Sequence, residues 1–445
     1  MALKPPLPDV SKSQALYAKA RKRIPGATQL FGKRAELYLP EHWPAYYSKA
    51  KGCHIWDLDG NKYRDFTMCG IGACVLGYAD PDVEEAVTAA LRFGNMTTLN
   101  CPEEMELADL LCELHPWADM VRYARTGGEI MSMAVRIARA ATNREEVAIC
   151  GYHGWSDWYL AVNLGDGDAL KGHLLPGLEP LGVPSGLAGT AHPFTYNDLS
   201  ELEAIVLERG NRLAAIVLEP VRNEGPAPGF LEGVRELATR CGAVMLLDEI
   251  TSAWRMNTGG MHMVYGIEPD MATFAKTLSN GIPMAAVIGR RGFMDAAQKT
   301  FISSAYWSER LGPAAALATL KKHRALDAGK TLAGTGGKVQ AGWKKAAAEH
   351  CLPIEVLGIA AAGNFVTKHK DALALQTLFN QEMLRRGFLA NERFYATLGH
   401  TGADVDQYLA AVNEAFALMA SASRNGAVTG QLEGPVKMSG FKRLN

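Results

Sequence analysis

The sequence predicts an α/β protein: a large domain with a mostly parallel sheet flanked by helices, plus a smaller α+β domain. Three observations carry this. Between Leu213 and Asp248 a strand (LAAIVLEPV), a helix from Gly233 to Arg240 and a second strand (AVMLLDEI) follow one another, and that rhythm marks parallel pairing. Ala243 to Leu247 are uniformly apolar, which suits a strand covered on both faces. A chain of 445 residues, 48% of them hydrophobic, is more than one compact core uses. The expected division is a large domain over 61-325 and a small domain formed by 1-60 with 326-445.

In chain order, Ser11 to Arg23 reads as a helix that stops at Ile24-Pro25-Gly26. HIWDLDGNKYRDF, with aromatics on both sides of a turn, reads as a β-hairpin. Its aspartates do not make a calcium loop, because Gly60 comes too early and the terminal glutamate is missing. MCGIGACVLGYADP leads into a helix beginning near Pro81, and Gly70, Gly72 and Gly77 miss the G-x-G-x-x-G spacing of a dinucleotide site. Val121 to Arg125 suits a short strand and Thr126-Gly127-Gly128 a tight turn. Ile130, Met133, Ala134, Ile137, Ala138 and Ala141 then form the apolar face of a helix. Val147 to Cys150 is the next strand and runs into GYHGWSDWYL, where Trp155 and Trp158 read as packing residues. Gly165 to about His192 lacks periodicity and reads as an ordered loop near the active site or a subunit contact. Leu199 to Leu207 is a helix and Ala214 to Leu218 a strand. Beyond Lys276, AAVIGR and TFISSAY read as strands and GPAAALATLKKH as a long helix. From about Leu326, helices rich in alanine, lysine and glutamate alternate with shorter strands (IEVLGIA, NFVTKH), and the tail after Met419 reads as an extended arm.

The 46 basic and 47 acidic residues leave a formal net charge of -1, so no overall field favours nucleic acid or an anionic membrane. The 8 cysteines are scattered, without C-x-x-C or zinc-type His/Cys spacing. No metal site is expected, and the cysteines read as buried thiols of a reducing compartment. MALKPPLPDV lacks the apolar core and cleavage site of a secretory signal, and no apolar run reaches membrane-spanning length. A cytoplasmic protein is expected.

Chemistry is expected at Asp248 and Lys276. Asp248 ends a buried strand, and in open α/β sheets the carboxyl ends of the strands face the ligand crevice. Lys276 sits among Phe274, Ala275 and Leu278, surroundings that favour a neutral amine able to attack a carbonyl. A carboxylate that can hold a protonated pyridine, with an amine that can form an imine, is what pyridoxal 5'-phosphate asks of a protein. Singly, an acid after a strand caps the next helix and a lysine is a solvated charge, so the pair gains meaning from its surroundings. A helix starting at Gly127 and Gly128, with the Thr126 hydroxyl nearby, offers unpaired amides and a dipole to a phosphate. Tyr152 directly follows a strand and can stack on a flat ring.

The order of these motifs, IWDLDGNKYRDF, TGGE, YHG, LEPV, DEI, Lys276 and the final LGHTGADVDQYLAAV, resembles the class III family of pyridoxal-phosphate aminotransferases. Within that family it resembles the branch around glutamate-1-semialdehyde 2,1-aminomutase. The likeness spans nearly the whole chain and implies the PLP-dependent transferase fold (fold type I). It gives Lys276 the aldimine and proton-shuttle role and sets Asp248 on the pyridine nitrogen. It places Gly127 and Gly128 under the phosphate, Tyr152 on the ring with His153 in support, and Glu219 near the site. Three positions depart from the family pattern. A hydroxyl residue often stands where Gly128 does, so side-chain support falls to Thr126 or elsewhere. Where the family lends a threonine from the neighbouring subunit this chain has Ala305, and Ser303 or Ser304 is the replacement. The arginine that the semialdehyde aminomutase uses for its substrate carboxylate has no clean equivalent near Lys33 and Arg34, which speaks against that substrate. The activity implied is transfer of an amino group from an amino-acid donor to a small polar carbonyl acceptor, of keto sugar or semialdehyde type. An aminomutase or a racemase comes second, and a non-catalytic protein of this fold is disfavoured by the intact Lys276 and Asp248. A homodimer with shared active sites is expected. Trp254, Arg255, Tyr306 and Trp307 supply either stacking and charge near the crevice or interface packing.

Overall fold

The computed structural model describes residues 5–165, 169, 179–221 and 223–440. The chain forms two compact units, one of residues 81–329 and one of residues 1–80 with 330–445. The first boundary falls later than 60/61 because Lys62–Phe66 pairs with His54–Asp57 and with Phe388–Ala390, both in the terminal unit.

Residues 81–329 are built on a seven-stranded sheet. Its strands in chain order are β1 (Met120–Ala124), β2 (Glu146–Cys150), β3 (Ala191–Pro193), β4 (Leu213–Leu218), β5 (Val244–Asp248), β6 (Met271–Phe274) and β7 (Ala285–Gly289). Across the sheet they lie in the order β1-β7-β6-β5-β4-β2-β3. Neighbours from β3 to β6 pair in parallel, whereas β7 is antiparallel to both β6 and β1. Helices Gly127–Thr142, Leu199–Arg209 and Phe230–Cys241 lie in the crossovers, as parallel strands require. Successive side chains of a strand point to opposite faces. Ile216, Leu218, Met245 and Leu247 accordingly pack with Leu231 and Val234 of one helix, and Ala215, Val217, Val244 and Leu246 with Ile130 and Ile137 of another. Both faces are therefore core, which is why β4 and β5 carry no alternating polar residues. The guanidinium of Arg144 gathers the lower ends of these elements by donating to the carbonyls of Gly210, Leu213 and Cys241.

The terminal unit holds two small sheets. One takes Tyr47–Lys51, His54–Asp57, Lys62–Phe66 and Phe388–Ala390; the other takes Ile354–Ile359, Ala362–Thr367 and Arg393–Tyr395. Helices Ser11–Arg21, Ala372–Arg385 and Gly402–Arg424 accompany them. Among the described residues no helix is long and apolar enough to cross a membrane.

Several expectations need correction. TFISSAY forms no strand: Ile302 is its one buried residue, the Arg122 side chain takes the Ile302 carbonyl at 2.5 Å, and Ala305–Ser308 is a 3-10 turn. The tail after Met419 is not an extended arm throughout. Its first part continues helix Gly402–Arg424, and Lys437 is buried, with its ammonium on Glu392 at 2.7 Å and its amide on the Thr377 hydroxyl at 3.0 Å. Of the cysteines, Cys53, Cys69 and Cys150 are buried, whereas Cys351 is exposed. Trp155, expected to pack, is 72% exposed. Of the aperiodic segment 165–192, positions 166–168 and 170–178 lie outside the described residues; the rest includes the short turn Ser185–Leu187 and strand β3.

Candidate active site

Asp248 closes β5 with its side chain 4% exposed. Its Oδ1 accepts the amide N–H of Ile250 at 3.1 Å, and its Oδ2 lies 2.9 Å from Nδ1 of His153, just beyond β2. The His153 ring is fully buried, stacked on Trp158 with centroids 6.3 Å apart and edge-on to Tyr159 at 5.7 Å. Its Nε2 has no hydrogen-bond partner among the described residues.

Lys276 follows β6 at the start of a 3-10 turn, with φ 42. A left-handed backbone at a residue with a long side chain costs ~1–3 kcal/mol, and such outliers gather at functional sites. Its Nζ donates to Thr251 Oγ1 at 2.6 Å, and the Thr251 carbonyl accepts from Arg255 Nε at 2.5 Å. Burial first, and the Arg255 charge second, pull the amine from 10.5 to about 8, against the opposing pull of Asp248 and Glu219.

The turn after β1 opens helix Gly127–Thr142 with a capping box. Thr126 Oγ1 accepts from the Glu129 amide at 3.4 Å and donates to Glu129 Oε2 at 3.0 Å, while that carboxylate also takes the Thr126 amide at 2.9 Å. The Thr126 hydroxyl is thus committed to the helix end. The glycines that follow leave room for neighbours. A Cβ on Gly127 would lie 3.2 Å from the Ile250 side chain, and one on Gly128 would lie 2.9 Å from the indole nitrogen of Trp155. At Gly151 (φ 124) a Cβ would come 2.6 Å from Glu219 Oε2, which accepts the Tyr152 amide at 3.1 Å. Glu219 therefore holds the turn that presents Tyr152. The Tyr152 ring is 44% exposed, and burial, then the charges of Asp248 and Glu219, push its hydroxyl up.

Asp248, His153, Tyr152, Glu219 and Lys276 are joined by these contacts and charges, and Gly127 and Gly128 adjoin them through Ile250 and Trp155. Ser304 is placed elsewhere. It lines a cleft of about 270 Å³ with Ser303, Trp307, Glu104 and Arg122, beside edge strand β1. Arg125 fastens that segment by pairing with the Glu309 carboxylate at 2.7 Å and donating to the Trp307 carbonyl at 2.9 Å.

Sequence reasoning missed what stands behind Asp248. Glu249 is fully buried, and its carboxylate accepts both the amide and Nδ1–H of His262 at 2.8 Å, together with the Ser252 hydroxyl. Burial pushes this acid up, but the His262 and Ser252 contacts prevail and hold it below the usual carboxylate range. The Trp117 indole donates to His262 Nε2 at 3.0 Å, which puts the imidazole proton on Nδ1. His115 Nε2 accepts the Gly260 amide at 3.0 Å, and burial brings this imidazole down to about 4. This cluster fixes the 249–262 loop that carries Thr251 and Arg255. The available signal was the run DEITSAWR, whose polar residues recur inside an otherwise apolar stretch.

In the terminal unit, ligand-type atoms of Cys53, His54 and Asp404 lie within 4.8 Å of one another. Asp404 is already engaged by Arg64 at 2.8 Å and the Thr401 hydroxyl at 2.6 Å, and burial followed by the Asp404 charge pushes the Cys53 thiol up to about 12. The group is a helix cap and ion pair.

Residues 39–389 match the family described as "Aminotransferase class-III". The chain is 30% identical to a 3-aminobutyryl-CoA aminotransferase of Cloacimonas acidaminovorans, over 92% of its own length and 97% of that protein's. It is 32% identical to a glutamate-1-semialdehyde 2,1-aminomutase of Chloroflexus aurantiacus, over 93% and 98%. The FumI protein of Sphingopyxis sp. MTA144, solved in its PLP internal aldimine form, superposes with a TM-score of 0.83 at 24% identity, over 94% of this chain and 98% of that one. The chain belongs to the class III aminotransferases, has the fold of the PLP-dependent transferases, and its cofactor is pyridoxal 5'-phosphate. The residues present fit that group: a buried carboxylate at a strand end, an amine lowered to about 8, and a helix-opening turn with no side chain at Gly127 or Gly128.

Proposed function

We propose that this protein is an aminotransferase moving an amino group from an amino-acid donor to a small polar carbonyl acceptor of keto sugar or semialdehyde type. The observation that carries the reading is Lys276, an amine near neutrality in burial, hydrogen-bonded to Thr251 and facing the charges of Asp248 and Glu219. When bound, the cofactor supplies an aldehyde for amine exchange and a ring that takes up electrons from the substrate carbon. The chain's own residues do the rest. Asp248, buried and oriented by His153 and the Ile250 amide, holds a proton at the pyridine nitrogen. The amides at Gly127 and Gly128 hold the phosphate at the helix N-terminus. Tyr152, set by Glu219, covers the ring. Lys276 Nζ would take a proton from the substrate carbon and deliver it two atoms away, on the far side of the transferred nitrogen. An amine titrating at about 8 is populated in both forms near neutral pH, as a proton carrier requires. Thr251 Oγ1 holds that nitrogen while it is free.

The second reading is an aminomutase, favoured by the 32% identity to the Chloroflexus aurantiacus protein. The same residues serve it, because the amino group then returns to a different carbon of the same molecule. A half-reaction screen tests the choice. Amino donors are added to the yellow cofactor-loaded protein, conversion to the pyridoxamine form is followed by absorbance, and carbonyl acceptors are then tried for reversal. If no donor bleaches the yellow form, the transaminase reading fails.

The active unit in this reading is a homodimer with shared sites. Its support is exposed apolar side chains: Phe93, Leu99, Phe301 and Tyr306 are 74%, 80%, 91% and 72% exposed. Arg310 links the two segments, with its guanidinium 5.7 Å over the Phe93 ring and its amide on the Asn95 carbonyl at 2.9 Å. Exposed large apolar side chains suit an interaction surface, and Ser303 and Ser304 stand between Phe301 and Tyr306 in the chain. The scattered cysteine positions, without C-x-x-C spacing, suit a reducing, cytoplasmic setting.

A further inference from the structure

We infer that the indole N–H of Trp155 donates a hydrogen bond to the cofactor phosphate, supplying a side-chain donor that the turn itself lacks. The inference rests on the cofactor reading above and extends it to a residue whose sequence context suggested only packing. Thr126 carries the one hydroxyl of the turn, and Glu129 occupies it on both sides. Gly127 and Gly128 contribute amides alone. Trp155 Nε1 lies 2.9 Å, and its Cδ1 3.2 Å, from where a Cβ on Gly128 would be, so the polar edge of the indole fills the volume in which a side chain at 128 would begin. Gly154 makes this approach possible: at φ 103 its own Cβ position is 3.2 Å from the Gly128 Cα. Trp155 is nonetheless 72% exposed, and among the described residues its Nε1 donates to no acceptor. A tryptophan of the core buries its ring. This one holds an unspent donor at the N-terminus of the sixteen-residue helix Gly127–Thr142, and an indole nitrogen can donate but not accept. An anion is the partner that both the helix end and the indole call for.

The test compares pyridoxamine 5'-phosphate with pyridoxamine, which lacks the phosphate; neither forms a covalent bond to Lys276. Both are titrated calorimetrically into full-length protein freed of cofactor. A hydrogen bond to a charged group contributes about 1.5–3 kcal/mol, or about 10- to 150-fold in affinity. Trp155→Phe keeps an aromatic cover and removes the N–H. It should weaken pyridoxamine 5'-phosphate by that factor, leave pyridoxamine within about twofold, and leave the melting temperature unchanged, given the exposure of the ring. Trp155→Phe with Gly128→Ser opens the space beside residue 128 and supplies a hydroxyl, so phosphate affinity should partly return. If Trp155→Phe weakens both ligands equally, or neither, the assignment to Trp155 is overturned while the cofactor site stands. If wild-type protein shows no preference for the phosphorylated ligand, the phosphate cradle falls, and this inference with it.

Discussion

Replacing Arg255 by glutamine should make Lys276 harder to deprotonate. Arg255 is 1% exposed, it is the second cause, after burial, that lowers the Lys276 amine to about 8, and it touches the same residue, Thr251, that holds Nζ. At pH 7 an amine titrating at about 8 is roughly 9% neutral, whereas one at 10.5 is roughly 0.03% neutral, so the environment raises the reactive fraction about 300-fold. Burial survives in Arg255→Gln and the charge does not. The midpoint should therefore rise from about 8 to roughly 9, with about tenfold less neutral amine at pH 7. The assay is reductive methylation of the cofactor-free protein by formaldehyde and cyanoborohydride, with the modified Lys276 peptide quantified by mass across pH 6 to 11 (a range of about five units that brackets both limits). The wild-type rate should rise with a midpoint near 8 and the variant rate about one pH unit later. A variant midpoint at or below that of wild type would refute the electrostatic account of this lysine. A stability consequence follows with a definite sign. Between about 8 and 10.5 the unfolded chain holds a proton on Lys276 that the folded chain has lost, so stability rises with pH across that window and the cost of burying the ammonium is fully present below it. Lys276→Met should remove that slope from the cofactor-free protein.

Asp248→Asn should still bind cofactor but lose about 10²- to 10³-fold or more in kcat, the scale of removing one preorganised electrostatic partner. Near-normal turnover would count decisively against its role. Glu249→Ala leaves two donors of buried His262 without their acceptor and should cost ~3–5 kcal/mol in urea unfolding, as breaking a buried pair does; a loss under ~1 kcal/mol would show that the cluster is not what fixes the loop. Lys276→Ala mixed with a Ser303→Ala, Ser304→Ala double variant should regain part of the activity each lacks, since a hybrid dimer can hold one site with both defects and one with neither. Sedimentation showing a fully active monomer at assay concentration would end the shared-site proposal.

The large unit was legible because its strands are buried on both faces. Uniform apolar runs at 214–218 and 243–247, each followed by an acid, are too short to be much else than buried strands, and they lead directly to Glu219 and Asp248. The helix after Thr126 was legible for the opposite reason, a strong amphipathic period behind a glycine pair. The same reasoning failed where side chains replace the backbone ladder. TFISSAY has the look of a strand, but Arg122 takes its Ile302 carbonyl from the side, and Arg125 takes the Trp307 carbonyl just after it. Thr251 and Arg255 were invisible as partners of Lys276 because what joins them is a loop fold dictated by Glu249 and His262, and no local period encodes that. Trp155 was misread since composition reports that a tryptophan is apolar and says nothing of which edge faces a gap at Gly128.

The central claim is that Lys276 is the residue that carries the cofactor. Borohydride reduction of the cofactor-loaded protein, followed by digestion and peptide mass mapping, tests it most directly. The account predicts loss of the yellow colour and a single pyridoxyl label on the peptide containing Phe274-Ala275-Lys276-Thr277, absent in Lys276→Ala. A label on any other lysine, or turnover surviving in Lys276→Ala, would contradict it.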